Sequence, residues 1–470
     1  MASTYLQRTL TAGNRKTWTL SFWIKPAKNT SEECLFSDDD GSDFLLVRFN
    51  SSRFFEVREY TGSEQIRFIT DGQYYDCSAW YHVCIKCDTT QTTEADRFKI
   101  FLNGSQLTTF STSTYPSLNY DTRLGYTGTI TRIGADDGAA NKYNGYIAQF
   151  VYADGTAYDP TTFGSFDATS GQWSPKGDGS IRSGVTFGTN GCLLSFENAS
   201  YLGYDYQTSA RSTTNDYSVT GEGMQTQTNP SNTFCSLNPV VDYGSGIDVF
   251  YDSNLMFYGA QGNAWRMVLG SLPVYKGKWY FETKIQSASS GGYYRIGFAS
   301  TQNLSQSALT GSNAGPGTDG PLFVLVNSDA KIYSSTNSSN GTQSAADWFT
   351  FAPGDIVCCA LDLDNGFAYY RKDAAAWANS ADPTSGATGT GGFTVPNFSE
   401  TYFWTPCFLS HENSAGSTWM ATNFGEGYFA NVSGAPTTIT SEGTNASGYG
   451  KFEYDVPTGY TAICTKGLNL

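Results

Sequence analysis

Histidine, positive charge and long apolar runs are what this 470-residue chain has least of. Against 43 Asp and Glu stand only 28 Lys and Arg, a formal charge of -15. No local Lys/Arg cluster offsets that balance, so a phosphate backbone would be repelled and no nucleic acid is expected as partner. The two histidines, His82 and His411, leave two candidate bases for any Ser-His or Cys-His arrangement. His82 falls inside a strand pattern and reads as a framework residue, while His411, in Ser410-His411-Glu412-Asn413, reads as a loop residue. No apolar run reaches the length that spans a bilayer, so no membrane insertion is expected. The opening residues, Met1 to Arg8, lack an apolar h-region, which fits synthesis and assembly in a cytoplasm.

Ten cysteines in a chain of this length do not make a disulfide framework. Cys84 and Cys87 have C-x-x-C spacing, but in a strand residues three apart point to opposite faces and cannot share a metal without a bend. The adjacent Cys358 and Cys359 also face opposite ways. Buried free thiols are the expectation.

Aromatics are as frequent as charged residues, each at 15%, and glycine is abundant at 50 residues. That profile suits many short strands joined by tight turns, and long helices are not expected. Thr17 to Lys25 alternates and stops at Pro26, and further strand patterns follow at Phe44 to Phe49, Phe54 to Arg58, Gln65 to Ile69, Trp80 to Lys86, Arg97 to Leu102, Ile130 to Ile133 and Tyr146 to Tyr152. Asn103-Gly104 and Asn365-Gly366 each follow an alternating strand. Asn-Gly there signals a hairpin, because both turn residues must accept positive φ.

The length exceeds what one core usually supports. The sequence therefore predicts an all-β protein of two antiparallel β-sandwich or jelly-roll domains joined by a semi-ordered connector. The expected divisions are 1–165, a connector at 166–245 lying against one or both domains, 246–430, and a C-terminal extension at 431–470.

Two sets of pieces carry family resemblances. Trp18 to Lys25, Leu35-Phe36-Ser37, Trp80 to Val83, Leu102-Asn103-Gly104, Ile133-Gly134 and Tyr143 to Phe150 resemble a laminin G-like, concanavalin-type jelly roll. Gly277 to Glu282, Arg295 to Phe298, Gly354 to Val357, Leu361 to Gly366 and Thr418 to Phe424 resemble a SPRY domain. Their tandem order, Thr161-Thr162-Phe163-Gly164 and the tail Val456 to Cys464 look like a family of virion-associated proteins of marine tailed bacteriophages. The resemblance implies a structural protein on the virion surface, as a head decoration, fibre or tail appendage. It also implies other virion proteins and host cell-surface glycans as partners, and a homo-oligomer is expected of such an appendage.

Candidate sites follow from residue chemistry. Ser37-Asp38-Asp39-Asp40-Gly41-Ser42-Asp43 gathers oxygens that could hold calcium through Asp38, Asp40 and Asp43, although its twelfth position from Asp38 is Phe49 and not the Glu of an EF-hand loop. A solvated hairpin turn is the competing reading. Asp136-Asp137-Gly138 is a second, weaker candidate. For stacking on sugars, aromatics in turn-rich settings fit best: Tyr74, Tyr75 and Trp377. Concanavalin-type folds also host glucan hydrolases with paired carboxylates about 5 Å apart on one strand. Asp362 and Asp364 have same-face spacing, but they lack the Glu-x-Asp-x-x-Glu pattern, and Asp364 precedes Asn365-Gly366 as a turn cap would. No enzyme activity is expected. A standalone lectin or adhesin is the alternative, and a polysaccharide hydrolase comes behind it.

Overall fold

The computed structural model describes residues 4–27, 31–74, 76–208, 215–239, 249–251, 255–258, 265–288, 293–301, 322–327, 330–335, 342–344, 347–396, 398–399, 401–411, 418–431 and 436–469. It is all β as expected, and the α-helix among these residues is the short Asp178–Gly184. The chain forms two compact units, Met1–Gln225 with Asn229–Ser231, and Thr226–Thr228 with Asn232–Leu470.

The first unit is built on two antiparallel sheets. The larger runs in the order Phe110–Thr114, Glu64–Gln73, Phe54–Tyr60, Phe44–Phe49, Glu33–Asp39, Ile130–Ile133, Tyr5–Thr9, Ser218–Thr220. The smaller runs Cys192–Leu194, Gly145–Asp154, Thr17–Pro26, Tyr81–Asp88, Phe98–Leu102, Ser105–Gln106. Period-two alternation fixes which side chains meet between them. Trp18, Leu20, Phe22 and Ile24 point inward with Val83, Ile85 and Cys87, and share one core with Leu45, Val47, Phe49, Val57 and Phe68. Each such burial contributes about 1.5–3 kcal/mol relative to exposure.

The outward face of the smaller sheet is covered as well. Cys84, Val151, Ala153 and Leu193 pack with Phe163, Ile181, Val185 and Phe187, so Cys84 and Cys87 do lie on opposite faces. This cover comes largely from the stretch expected as a connector. That stretch supplies the edge strands Cys192–Leu194 and Ser218–Thr220 as well, which pair with Gly145–Asp154 and Tyr5–Thr9. The first unit thus extends well past residue 165, because the apolar islands of the polar tract bury themselves in it.

Trp173 is its main anchor. The indole N–H donates to Nδ1 of His82 at 3.1 Å, and Nε2 of His82 lies 2.9 Å from Oγ of Ser21. With Nδ1 accepting, Nε2 carries the proton and donates to the serine. The ring system lies so close to Gly104 that a Cβ there would stand 2.4 Å from it. Asn103 (φ 49) and Gly104 (φ 79) form the two-residue turn that their sequence predicts, and Oδ1 of Asn103 accepts the His82 backbone N–H at 2.7 Å.

In the second unit one sheet runs Val249–Tyr251, Met256–Tyr258, Trp419–Asn423, Lys278–Ser287, Ile356–Asp362, Phe367–Lys372, Phe393–Thr394. The other runs Trp265–Leu269, Trp404–His411, Tyr293–Ser300, Leu322–Val326, Ile332–Ser335, Thr342–Gln343. Phe281 packs against Phe298, Phe408 and Phe424 at 5.4–5.7 Å between ring centres. His411, expected in a loop, instead ends a strand, because both Trp265 and Tyr293 pair with it. The second Asn-Gly turn also differs from expectation. Only Gly366 takes positive φ (81°), since Oδ1 of Asp362 accepts the amides of Asp364 and Asn365 at 3.0 Å and closes a four-residue loop. Asp362, not Asp364, is therefore the capping residue.

The C-terminal residues are integral to this unit. Thr461–Ala462 pairs parallel with Trp279 and Tyr280, while the Cys235 amide donates to Ile463 and the Thr465 amide to Thr233. The wholly buried Glu282 accepts the backbone amides of Glu453 and Tyr454 at 2.9 Å and the Tyr280 hydroxyl at 2.9 Å. Burial raises its pKa to about 7.

Two outcomes are expected. Trp173→Phe keeps the ring but leaves Nδ1 of His82 buried without its donor, and denaturant titration should show a loss of about 1–3 kcal/mol. Because the folded-state pKa of Glu282 lies above its ordinary 4.5, its stabilising contribution is complete below that value and is lost as pH rises through 7. Calorimetry from pH 5 to 8 should show the second unit melting progressively lower, and Glu282→Gln should flatten that slope.

Candidate functional site

The acidic segment is divided by the strand that carries its first half. Asp38 and Asp39 end strand Glu33–Asp39, so alternation sends them to opposite faces. Asp38 is wholly buried, 3.8 Å from Nε of Arg123, whose Nη2 reaches Asp40 at 2.6 Å. On the other face Asp39 pairs with Arg132 of the neighbouring strand. Asp40 opens the turn, its Oδ1 accepting the amides of Ser42 at 3.2 Å and Asp43 at 3.1 Å. The Asp43 amide, then the Ser42 amide and the Arg123 guanidinium hold the Asp40 carboxyl low, at about 2, while burial pushes Asp38 well up.

This arrangement does not suit calcium. Asp38 and Asp40 converge on a guanidinium, and Asp43 enters the turn through its amide. Among the described residues no group of three or more His, Cys, Asp or Glu could hold a metal ion. Asp136, in the second acidic candidate, accepts the Asn141 side-chain amide at 2.6 Å. Sequence reasoning missed Arg123 because it lies more than eighty residues from Asp38 and Asp40. Its amide donates to Glu59 at 3.0 Å, and burial raises that carboxyl to about 7. The guanidiniums of Arg15 and Arg123 lie 4.9 and 5.1 Å from the ring centre of the exposed Tyr126.

The predicted stacking residues are partly engaged already. Tyr74 is half-buried and meets Tyr81 edge-on at 6.0 Å, which makes it an anchor for its loop. Tyr75 lies outside the described residues. Trp377, in the second unit, is half-buried with the Arg371 guanidinium 4.8 Å from its ring centre. That cation also lies 5.7 Å from the Tyr454 ring and donates to the Asp455 carbonyl at 2.6 Å.

More open are two aromatics that the sequence did not single out. Tyr275 and Phe403 are 39% and 42% exposed, with ring centres 5.4 Å apart at 58°. Phe403 belongs to an aromatic run and Tyr275 lies two residues after Pro273, and neither position carries a pattern that separates a surface ring from a core ring.

The candidate catalytic groups serve the framework. Burial lowers the pKa of His82 to about 3, so the ring is neutral, and it lies among Trp23, Phe163 and Trp173. Asp362 is buried against Lys278 at 2.7 Å, and Oδ1 of Asp364 accepts the Gly277 amide at 2.8 Å. All ten cysteines are buried and stand outside any disulfide; burial pushes Cys358 up to about 12.

Residues 2–157 match the family model for the concanavalin A-like lectin/glucanases superfamily, of laminin G type. The first unit therefore contains a laminin G-like, concanavalin-type domain. No curated protein matches the chain. Solved structures with similarity include the SPRY domain of human HERC1, at 12% identity and TM-score 0.26, covering 36% of this chain and 87% of that one. A further human SPRY domain matches at 12% identity and TM-score 0.25, covering 36% and 90%. A heptameric SAP-like pentraxin from Limulus polyphemus matches at 17% identity and TM-score 0.24, covering 33% and 71%.

Removing Arg123 leaves Asp38 buried without its cation. Arg123→Ala is expected to destabilise the first unit by about 3 kcal/mol at neutral pH, and the deficit should narrow on acidification as Asp38 takes up a proton. Calcium or chelator should leave the wild-type melting curve unmoved; a calcium-dependent rise would restore the metal reading of the aspartates.

Proposed function

We propose that the chain is a non-enzymatic structural protein of a tailed-bacteriophage particle, displayed on the virion surface and binding host cell-surface glycans. The observation that carries the carbohydrate part is the match of residues 2–157 to the concanavalin A-like lectin/glucanases superfamily. Lectins and glucanases share that superfamily, and the choice of binding over hydrolysis is supported by where the candidate catalytic groups are used. His82 holds the Trp173 hairpin, and Asp362 closes a turn while pairing with Lys278. The particle assignment is supported by the tandem order of the jelly roll, the SPRY-like segments and the Val456 to Cys464 tail, which resemble virion-associated proteins of marine phages.

As an appendage the protein would be a homo-oligomer touching other head or tail proteins, after synthesis in the host cytoplasm. A standalone lectin is the alternative, and the two differ in where the protein is found. Immunogold labelling of purified particles should decorate the virion, and a glycan array probed with the full-length protein should give saccharide-specific signals. Unlabelled particles with a positive array would favour the lectin. A blank array would remove the adhesin part, and release of reducing sugar from polysaccharide would overturn the non-enzymatic reading.

A further inference from the structure

Two exposed aromatic rings in the second unit are held in a fixed open geometry. Val274 and Trp404 exchange both backbone hydrogen bonds, at 2.8 and 2.6 Å, and so lock the residues beside them, Tyr275 and Phe403. The Thr301 amide donates to the Phe403 carbonyl at 2.9 Å, which braces the second residue again. A backbone held this way adds little ordering cost when a ligand covers the rings it carries.

What surrounds the rings narrows the ligand. Nζ of Lys276 lies 5.8 Å from the Tyr275 ring centre. Lys276 is exposed and makes no ion pair among the described residues. The hydroxyl of the exposed Thr301 donates to the Phe403 carbonyl at 3.5 Å and keeps its acceptor capacity, and Tyr275 carries its own phenol. Two open rings tilted 58° to each other, with hydroxyls nearby and one unpaired cation, suit a molecule with an apolar face, hydroxyl edges and a negative group.

We propose that Tyr275, Phe403 and Lys276 form a carbohydrate platform in the second unit, selective for a pyranose bearing an anionic substituent, a carboxylate or a sulfate. One ring stacks on the CH face of the sugar while the other, tilted 58° from it, packs against the sugar's edge, and Lys276 pairs with the substituent. The platform extends the glycan-binding reading to a surface separate from the laminin G-like domain, and it rests on that reading only for the class of ligand.

The test is titration calorimetry of the full-length protein with three probes: oligogalacturonate, its methyl ester and sulfated dextran oligomers. Oligogalacturonate, sulfated dextran or both should bind, and whichever binds identifies the substituent. The methyl ester should bind at least fivefold more weakly than oligogalacturonate if the carboxylate is read. Tyr275→Ala and Phe403→Ala should each weaken the bound probe at least tenfold, Tyr275→Phe should retain stacking, and Lys276→Gln should weaken only the charged probes. Calorimetric melting confirms that each variant remains folded. Binding that survives Tyr275→Ala and Phe403→Ala would overturn the platform while leaving glycan binding elsewhere intact. No binding of any probe by the wild type would overturn it outright, and a glycan-array signal from the same protein would then show that the wider reading stands.

Discussion

The interaction on which the first unit depends is the neutral imidazole of His82. It accepts from Trp173 and donates to Ser21, while its backbone N–H is held by Asn103. One ring thereby ties two central strands, the Asn103-Gly104 turn and the hairpin Gly164–Phe166 with Trp173–Pro175. Only a neutral histidine can accept at one nitrogen and donate at the other. Burial enforces that state, and the same burial that makes the ring useful as a connector removes it as a base. Its low proton affinity is the thermodynamic signature of this use, since protonation would abolish the acceptor that receives the indole.

The strands of the first half were legible because their two faces differ in register: inward positions carry Leu, Ile, Val and Phe in strict alternation. The cover over the second face was not. Phe163, Ile181, Val185 and Phe187 sit in a polar, glycine-rich stretch where no period accumulates, and only their burial identifies them as a layer. The acidic segment shows the other limit of sequence reading. Local spacing placed the three candidate aspartates within six residues, but what Asp38 and Asp40 face comes from Arg123, and pairing across that distance leaves no local signal. Likewise the sequence made Asp364 the turn cap, whereas the strand end gives Asp362 the turn amides and Lys278, and gives Asp364 the Gly277 amide. The openness of Tyr275 and Phe403 was illegible for a related reason: in a chain so rich in aromatics, ring identity carries no information about exposure.

Each unit also buries a glutamate whose proton affinity is raised, Glu59 in the first and Glu282 in the second. Both accept backbone amides from distant segments, Arg123 in one case and Glu453 with Tyr454 in the other. A carboxylate offers more acceptor sites than any neutral side chain, which suits it to fastening irregular segments whose amides have no strand partner. The cost is desolvation, and it appears as the upward displacement of both groups. In sequence such a residue looks like any surface acid, which is why the C-terminal segment read as an extension when its backbone is held from inside the second unit.

The same logic of assigned partners separates framework cations from a free one. Arg123, Arg132 and Arg371 are each engaged by carboxylates, carbonyls or rings around them. Lys276 and Lys278 make the contrast within three residues. Gly277 between them takes φ of +89° with its amide held by Asp364. Lys278 is drawn onto the buried Asp362. Lys276, on the other side of Gly277, is exposed beside the Tyr275 ring. In a protein of net charge -15, a cation placed on an open aromatic surface locally opposes the repulsion that the whole molecule exerts on a negatively charged ligand.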